Sequence, residues 1–230
     1  MATMILEQPV GTSRPTGAWL YLDEVMHRVL NDYTVMMATV RLAAMQTSDA
    51  ASGEALGDVM DRLNGSAKAF RALTPPGDRS LRELDEELES LCAALSASGT
   101  LKKGIELTFA GDPVCVSAQR SWKICLVVSE LITNAARHAF LDYMRGSIEV
   151  RLTVQAETIR CIVADNGSAS LRIKAGRGSG ILDAIATELG GTLFRHHTSL
   201  GSKVELELPL FDLAERDVAH LLRGGPHGQQ

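Results

Sequence analysis

The sequence is poor in cysteine, has no long apolar run and carries no excess of basic charge, and each shortage removes a class of function. The four cysteines, Cys92, Cys115, Cys125 and Cys161, show neither CxxC spacing nor a metal-ligand cluster. Each stands among apolar neighbours, which predicts buried free thiols. No apolar run approaches the roughly 18 residues that a transmembrane helix needs, and Met1 to Gly17 lacks the basic and apolar regions of a signal peptide. The expectation is a soluble protein of a reducing, cytoplasmic compartment with no membrane insertion. A formal charge of -5 and a pI near 5.7, with no concentrated basic face, argue against nucleic acid as a partner. The 230 residues allow one large domain or two small ones, with ample apolar content for a core.

Apolar periodicity is what the chain does have. Between Ala18 and Ser52 no Gly or Pro interrupts a run in which Leu22, Met26, Val29, Tyr33, Met36, Val40 and Ala43 alternate steps of four and three. A second run, Leu56, Val59, Leu63, Ala67, Phe70 and Leu73, follows a polar connection from Thr47 to Gly53 and stops at Pro75-Pro76-Gly77. Residues 18–75 are thus predicted to be an antiparallel helical hairpin. A lone hairpin leaves each apolar stripe half covered, so a homodimeric four-helix bundle is expected. His27 lies beside the seam residue Met26, where its ring should reach solvent. A neutral imidazole there has a free lone pair for attack on phosphorus. Glu24 and Asn31 share its face and could orient the other nitrogen.

Beyond Pro76 the pattern mixes helix and strand over residues 80–210. Ser80-Leu81-Arg82-Glu83 reads as a capping box opening a helix with Leu81, Leu84, Leu88, Leu91 and Leu95. Ile105 to Phe109, Ile148 to Val154 and Thr158 to Ala164 alternate as strands, and a further helix starts near Ser117. On that helix Val127, Val128, Leu131, Ile132 and Ala135 form a buried face, while Glu130, Asn134, Arg137 and His138 stack along another. A carboxamide oxygen beside a carboxylate suits Mg2+, and the two basic residues suit phosphate. Asp165-Asn166-Gly167 closes a strand. Gly176-Arg177-Gly178-Ser179-Gly180 is a glycine-spaced loop running into a helix, whose N-terminal amides make an anion site. Asp212 to Leu222 could form one more helix, within a C-terminal segment 211–230 that ends in a frayed tail. His196, His197, His220 and His227 read as surface residues.

These motifs, in this order, carry a resemblance to a known family. His27-Arg28-Val29-Leu30-Asn31-Asp32 resembles the His-Arg-Val-x-Asn-Asn phosphoacceptor box of one class of bacterial sensor histidine kinases. Ser129 to Phe140 resembles that class's N box, Asn-Glu-Leu-Val-Thr-Asn-Ala-x-Lys-His-Ala-Phe, over twelve positions. Asp165-Asn166-Gly167 resembles the G1 box and the Gly176–Gly180 string the G2 box. Gly190 to Phe194 and Gly201 to Pro209 resemble the closing hairpin. The chain departs from the pattern in having eight residues, Ser168 to Ala175, between the glycine boxes, no second glycine soon after Gly167 and no phenylalanine box. Arg137 replaces a lysine. The Trp-x-Glu element of the HWE kinases is also missing, which points to their sister class.

The resemblance implies an α+β protein: a dimerisation and phosphotransfer hairpin followed by an α/β sandwich ATP-binding domain of Bergerat (GHKL) type. It implies a kinase that uses ATP and Mg2+ to phosphorylate His27 and passes the phosphate to a response-regulator receiver aspartate. Glu130 would assist catalysis, Asn134 would ligate the metal, and Arg137, His138, Gly176, Gly178 and Gly180 would hold phosphates. Asp165 would select adenine beside Gly167 and Ser202. With only 26 residues ahead of His27, the signal is expected from a partner such as a separate sensor protein, from the regulation of the chain's own level, or not at all. The alternative is a histidine phosphotransferase that relays phosphate between receiver domains with a degenerate, non-ATP-using GHKL domain; a third reading is a GHKL switch kinase or binding protein acting on a serine or on a sigma-factor regulator.

Overall fold

The computed structural model describes residues 17–77, 80–101, 104–140, 145–167 and 177–211, with the backbone alone for 17–23 and 177–179. Two helices, α1 (Gly17–Gln46) and α2 (Ala50–Ala72), open the fold. Their connection is only Thr47–Asp49, shorter than the polarity of the segment predicted. Asp49 supplies the reason: its carboxylate accepts the backbone N–H of Ser52 at 2.9 Å and starts α2 four residues early. The hydroxyl and amide of Ser52 together hold the Asp49 carboxyl below its usual range.

The two helices close on each other mainly at the end remote from this turn. The Tyr33 and Phe70 rings lie 6.4 Å apart, and Met26, Ala67 and Ala69 are buried. Toward the turn the stripe stays open. Met36 and Ala43 are exposed, as are the neighbouring Val35, Leu42 and Met45.

Residues 81–83 correct a sequence expectation. Leu81–Glu83 is a short strand, β1, and not the first turn of a helix. It pairs antiparallel with β3 (Cys115–Ser117), so its backbone groups are satisfied across a sheet and Leu81 is left exposed. Helix α3 (Leu84–Ala97) begins only afterwards, and no side chain caps it at Glu83. Leu84, Leu88, Leu91 and Leu95 then bury as the spacing predicts.

A five-stranded sheet follows, β2 (Ile105–Gly111), β4 (Gly146–Gln155), β5 (Thr158–Asp165), β6 (Thr192–Thr198) and β7 (Gly201–Pro209), in the order β2-β4-β5-β7-β6. Only β2 and β4 run parallel. Alternate residues bury on one face: Ile148, Val150 and Leu152, then Ile159, Cys161 and Val163, then Leu206 and Leu208. Helices α3, α4 (Ala118–His138) and α5 (Arg177–Glu188) supply the second layer.

The hairpin and the sheet half share this core. Ala69, Ala72 and Leu73 of the hairpin pack in the cluster that holds Leu88, Ile124 and Leu206. A methyl group at Gly65 would overlap the backbone of Ala97 and Ser98, so α2 and α3 touch there without room for a side chain. Trp122 Nε1 donates to the Leu73 carbonyl at 2.9 Å. The buried Arg120 donates to the carbonyls of Pro209 and Leu210. The expected C-terminal helix and tail lie outside the described residues.

Cysteine burial needs one correction as well. Cys92, Cys125 and Cys161 are buried and Cys115, on the two-stranded edge, is exposed. Burial pushes the Cys92 and Cys161 thiols up to about 12, and Cys125 higher still.

Candidate nucleotide site and histidine hairpin

Helix α4 has one strongly apolar side. Val127, Val128, Ile132 and Ala136 are buried against the sheet, Glu130 and Asn134 are half-buried, and Arg137 and His138 are exposed in the last turn. Two basic side chains at a helix C-terminus also suit the negative end of its dipole. Asn134 Nδ2 donates to Glu130 Oε1 at 3.1 Å. With its amino group so engaged, Asn134 has its carbonyl oxygen available to a ligand; the assignment of oxygen and nitrogen rests on this bond.

The second part of the site is built where β5 ends. Asp165 is the last residue of the strand and sits opposite Ser202, the second residue of β7. Its Oδ1 accepts the Gly167 N–H at 3.0 Å and, more loosely, the Ser202 N–H at 3.4 Å, while Oδ2 accepts the Ser202 hydroxyl. An ionised carboxylate has about four acceptor positions, so three internal donors leave room for one from a ligand.

Glycines bring these segments together. At Gly167 a side chain would overlap the Ala139 carbonyl, so the loop after β5 lies directly on the end of α4. At Gly201, with φ at +141°, it would overlap the Asp165 carbonyl. At Gly146 it would meet the Phe140 ring, and the neighbouring Ser147 N–H donates to Asn166 Oδ1 at 2.8 Å. The starts of β4 and β7, the end of β5 and the end of α4 therefore meet at one edge of the core. Sequence reasoning read Gly167 and Ser202 for their roles but missed Asn166, Gly146 and Gly201. The signal for Gly201 was visible, in a glycine preceding a strand that must pass Asp165 closely.

The glycine string is placed differently from expectation. Helix α5 starts at Arg177, so Gly178 and Gly180 lie in its first turn and not in a loop before it. Gly180 is exposed with open space at its Cβ position. Gly176 and the whole of Ser168–Ala175 lie outside the described residues.

His27 stands on the other half of the molecule, exposed on α1 beside the buried Met26. The Tyr33–Phe70 contact puts the N-terminal half of α1 beside the C-terminal half of α2, so His27 belongs to the end of the hairpin from which the chain enters the sheet half. Glu24, three residues before it on the same helix, pairs through its carboxylate with Arg28 at 2.7 Å. Asn31 is exposed.

As to metals, the described residues contain no group of three or more His, Cys, Asp or Glu able to hold one. The donors present on α4 are the oxygens of Asn134 and Glu130. Such a set fits Mg2+, which keeps waters and substrate phosphates as its remaining ligands. Among the described residues no helix is long and apolar enough to cross a membrane.

Comparison with known proteins accounts for both halves. Residues 24–99 match a family model described as histidine kinase, and residues 107–193 match one described as histidine kinase-like ATPase domain. The chain is a GHKL histidine kinase core, a helical segment of histidine kinase type followed by an ATPase domain. The sensor histidine kinase PdtaS of Mycobacterium tuberculosis is 28% identical over 195 residues, 81% of this chain and 39% of that protein. Blue-light-activated histidine kinase 2 of Erythrobacter litoralis is 27% identical over 219 residues, 88% of this chain and 61% of its own. The chain thus spans about two fifths of the first of these curated relatives and about three fifths of the second. Among solved structures, the histidine kinase domain of the Erythrobacter litoralis EL346 blue-light-activated kinase superposes with a TM-score of 0.55 at 21% identity, covering 77% of this chain and 96% of that one. A bacterial phosphotransferase superposes with a TM-score of 0.55 at 12% identity, covering 86% of this chain and 99% of its own.

Proposed function

We propose that this chain is an ATP-dependent protein-histidine kinase that phosphorylates itself on His27 and hands the phosphate to a receiver-domain aspartate. The observation that carries this reading is the Asp165 carboxylate, held by Gly167 and Ser202 with an acceptor position to spare, at the foot of a helix bearing Asn134 and Glu130. Residues 18–75 act as the dimerisation and phosphotransfer unit and 80–210 as the ATP-binding unit.

In this mechanism the adenine amino group donates to Asp165, the selection expected of an acceptor-only side chain. Gly178 and Gly180 leave the first-turn amides of α5 open to phosphate oxygens. Arg137 and His138 neutralise phosphate charge at the end of α4, and Glu130 fixes the Asn134 amide and takes part in the proton balance at His27. Asn134 would ligate Mg2+, which when bound screens the charge between the phosphates. The His27 nitrogen lone pair attacks the γ-phosphorus; the N–P bond forms as the bond to the β,γ-bridging oxygen breaks, and ADP leaves. Phosphoryl transfer of this kind is chiefly positioning and charge neutralisation. The open apolar strip of α1, with Val35, Leu42 and Met45, supports a homodimer.

The phosphotransferase alternative has one observation on its side, the 12% identical neighbour of that name. It gives the Asp165–Ser202–Gly167 arrangement nothing to do. The two readings part on incubation with γ-labelled ATP and Mg2+. The kinase acquires acid-labile, base-stable label that His27→Ala and Asn134→Ala both abolish; an unlabelled protein that binds no nucleotide sinks the kinase reading.

A further inference from the structure

The registers of three adjacent strands put four residues into one row across the sheet. Ile148 of β4 pairs with Asp165 of β5, Asp165 with Ser202 of β7, and Ser202 with His197 of β6. Residues directly opposite one another share a face. Here it is the helix-covered face, because the same rows one step inward hold Val150, Val163, Val204 and Arg195. Arg195 confirms the direction on β6 by pairing with Asp183 of α5 at 2.8 Å.

Exposure along the row rises in one direction. Ile148 is fully buried, Asp165 and Ser202 are half-buried, and His197 is exposed. A base that donates to Asp165 therefore has no space toward β4, where Ile148 and Phe140 fill the core. Space opens toward Ser202 and His197. Strands lie about 4.8 Å apart, so the His197 backbone is about 10 Å from that of Asp165, a gap that a purine and an imidazole together can bridge. His196, by contrast, pairs with Lys203 and belongs to the opposite face.

We propose that His197 is a purine-contact residue, the far wall of the base site whose near wall is Asp165. This deepens the ATP-binding reading above and rests on it. The imidazole offers a flat face for stacking and a ring N–H or lone pair for the base edge, both neutral interactions worth a few-fold to about tenfold in affinity. Sequence reading placed His197 on the surface and gave it no role, because only strand register shows that it continues the row of Asp165 and Ser202.

The test measures equilibrium binding of ATP and of ribose 5-triphosphate, which lacks the base, to the full chain and to four variants. His197→Ala should weaken ATP about five- to tenfold and leave ribose 5-triphosphate unchanged; His197→Gln should recover part of the loss and His196→Ala should show none. Asp165→Asn serves as the check on the underlying reading. If Asp165→Asn weakens ATP while His197→Ala does not, or if His197→Ala weakens both ligands alike, the assignment of His197 fails and the adenine site stands. If neither the wild type nor any variant prefers ATP over ribose 5-triphosphate, the base site itself is wrong and His197 falls with it.

Discussion

Asp165 concentrates the chemistry of the site in one side chain. Its two oxygens accept from Gly167 and Ser202, which fixes the carboxylate before any ligand arrives. In the proposed complex Asp165→Asn would replace an acceptor with a donor facing the adenine amino group, and a hydrogen bond to a charged group contributes about 1.5 to 3 kcal/mol. ATP affinity should fall by one to two orders of magnitude, about ten- to a hundredfold, with the melting temperature little changed. Ser202→Ala removes only the orienting hydroxyl and should cost less, as calorimetric titration of both variants would show. Thiol reactivity gives a second residue-scale check. With Cys92, Cys125 and Cys161 buried and their pKa values raised, only Cys115 should react with an aromatic disulfide reagent in the native protein, and all four in denaturant. Of this detail the sequence showed the Asp165 motif in full. Cys115 misled, because Val114 and Val116 flank it while the two-stranded edge leaves its own side exposed.

Helices were easier to read than short strands. The stripes of α1, α2 and α4 run over many turns, so period outweighs any single residue. By contrast β1 and β3 span three residues each, too few to alternate visibly, and the Ser80–Glu83 string satisfies a capping rule that strand pairing overrides. Polarity alone could not place the start of α2 either, since it depends on the one carboxylate of Asp49. That carboxylate gives an element-scale prediction. Its folded pKa is depressed, so it contributes stability that is present above the unfolded value near 3.8 and lost as pH falls through the folded one. Asp49→Ala should therefore lower the melting temperature at neutral pH, and the difference from wild type should vanish in acid, as thermal melts followed by circular dichroism would record.

At the scale of the whole molecule, the half-open hairpin calls for a partner. Leu42 and Met45 are 60% and 77% exposed near the turn, an arrangement that a second copy would cover. Leu42→Glu combined with Met45→Glu should shift the protein from dimer to monomer in sedimentation velocity and leave the sheet half folded. Sequence periodicity announced the two helices of the hairpin but not how closely it joins the sheet half, because the contact depends on Gly65 meeting the end of α3 with no side chain in between.

That contact changes what kind of object this protein is. A chain with a proline-glycine break invites the picture of two beads on a string, each free to tumble and to be studied alone. Instead Trp122, on the second turn of α4, grips the residue that caps α2 through its Leu73 carbonyl, and this end of the hairpin is embedded in the same core as the sheet. Heat should accordingly melt both parts in a single calorimetric transition. A fragment starting at Ser80 would bare the part of α3 on which Gly65 rests, so shortening the chain at its most obvious seam would expose sticky surface where a clean cut was intended.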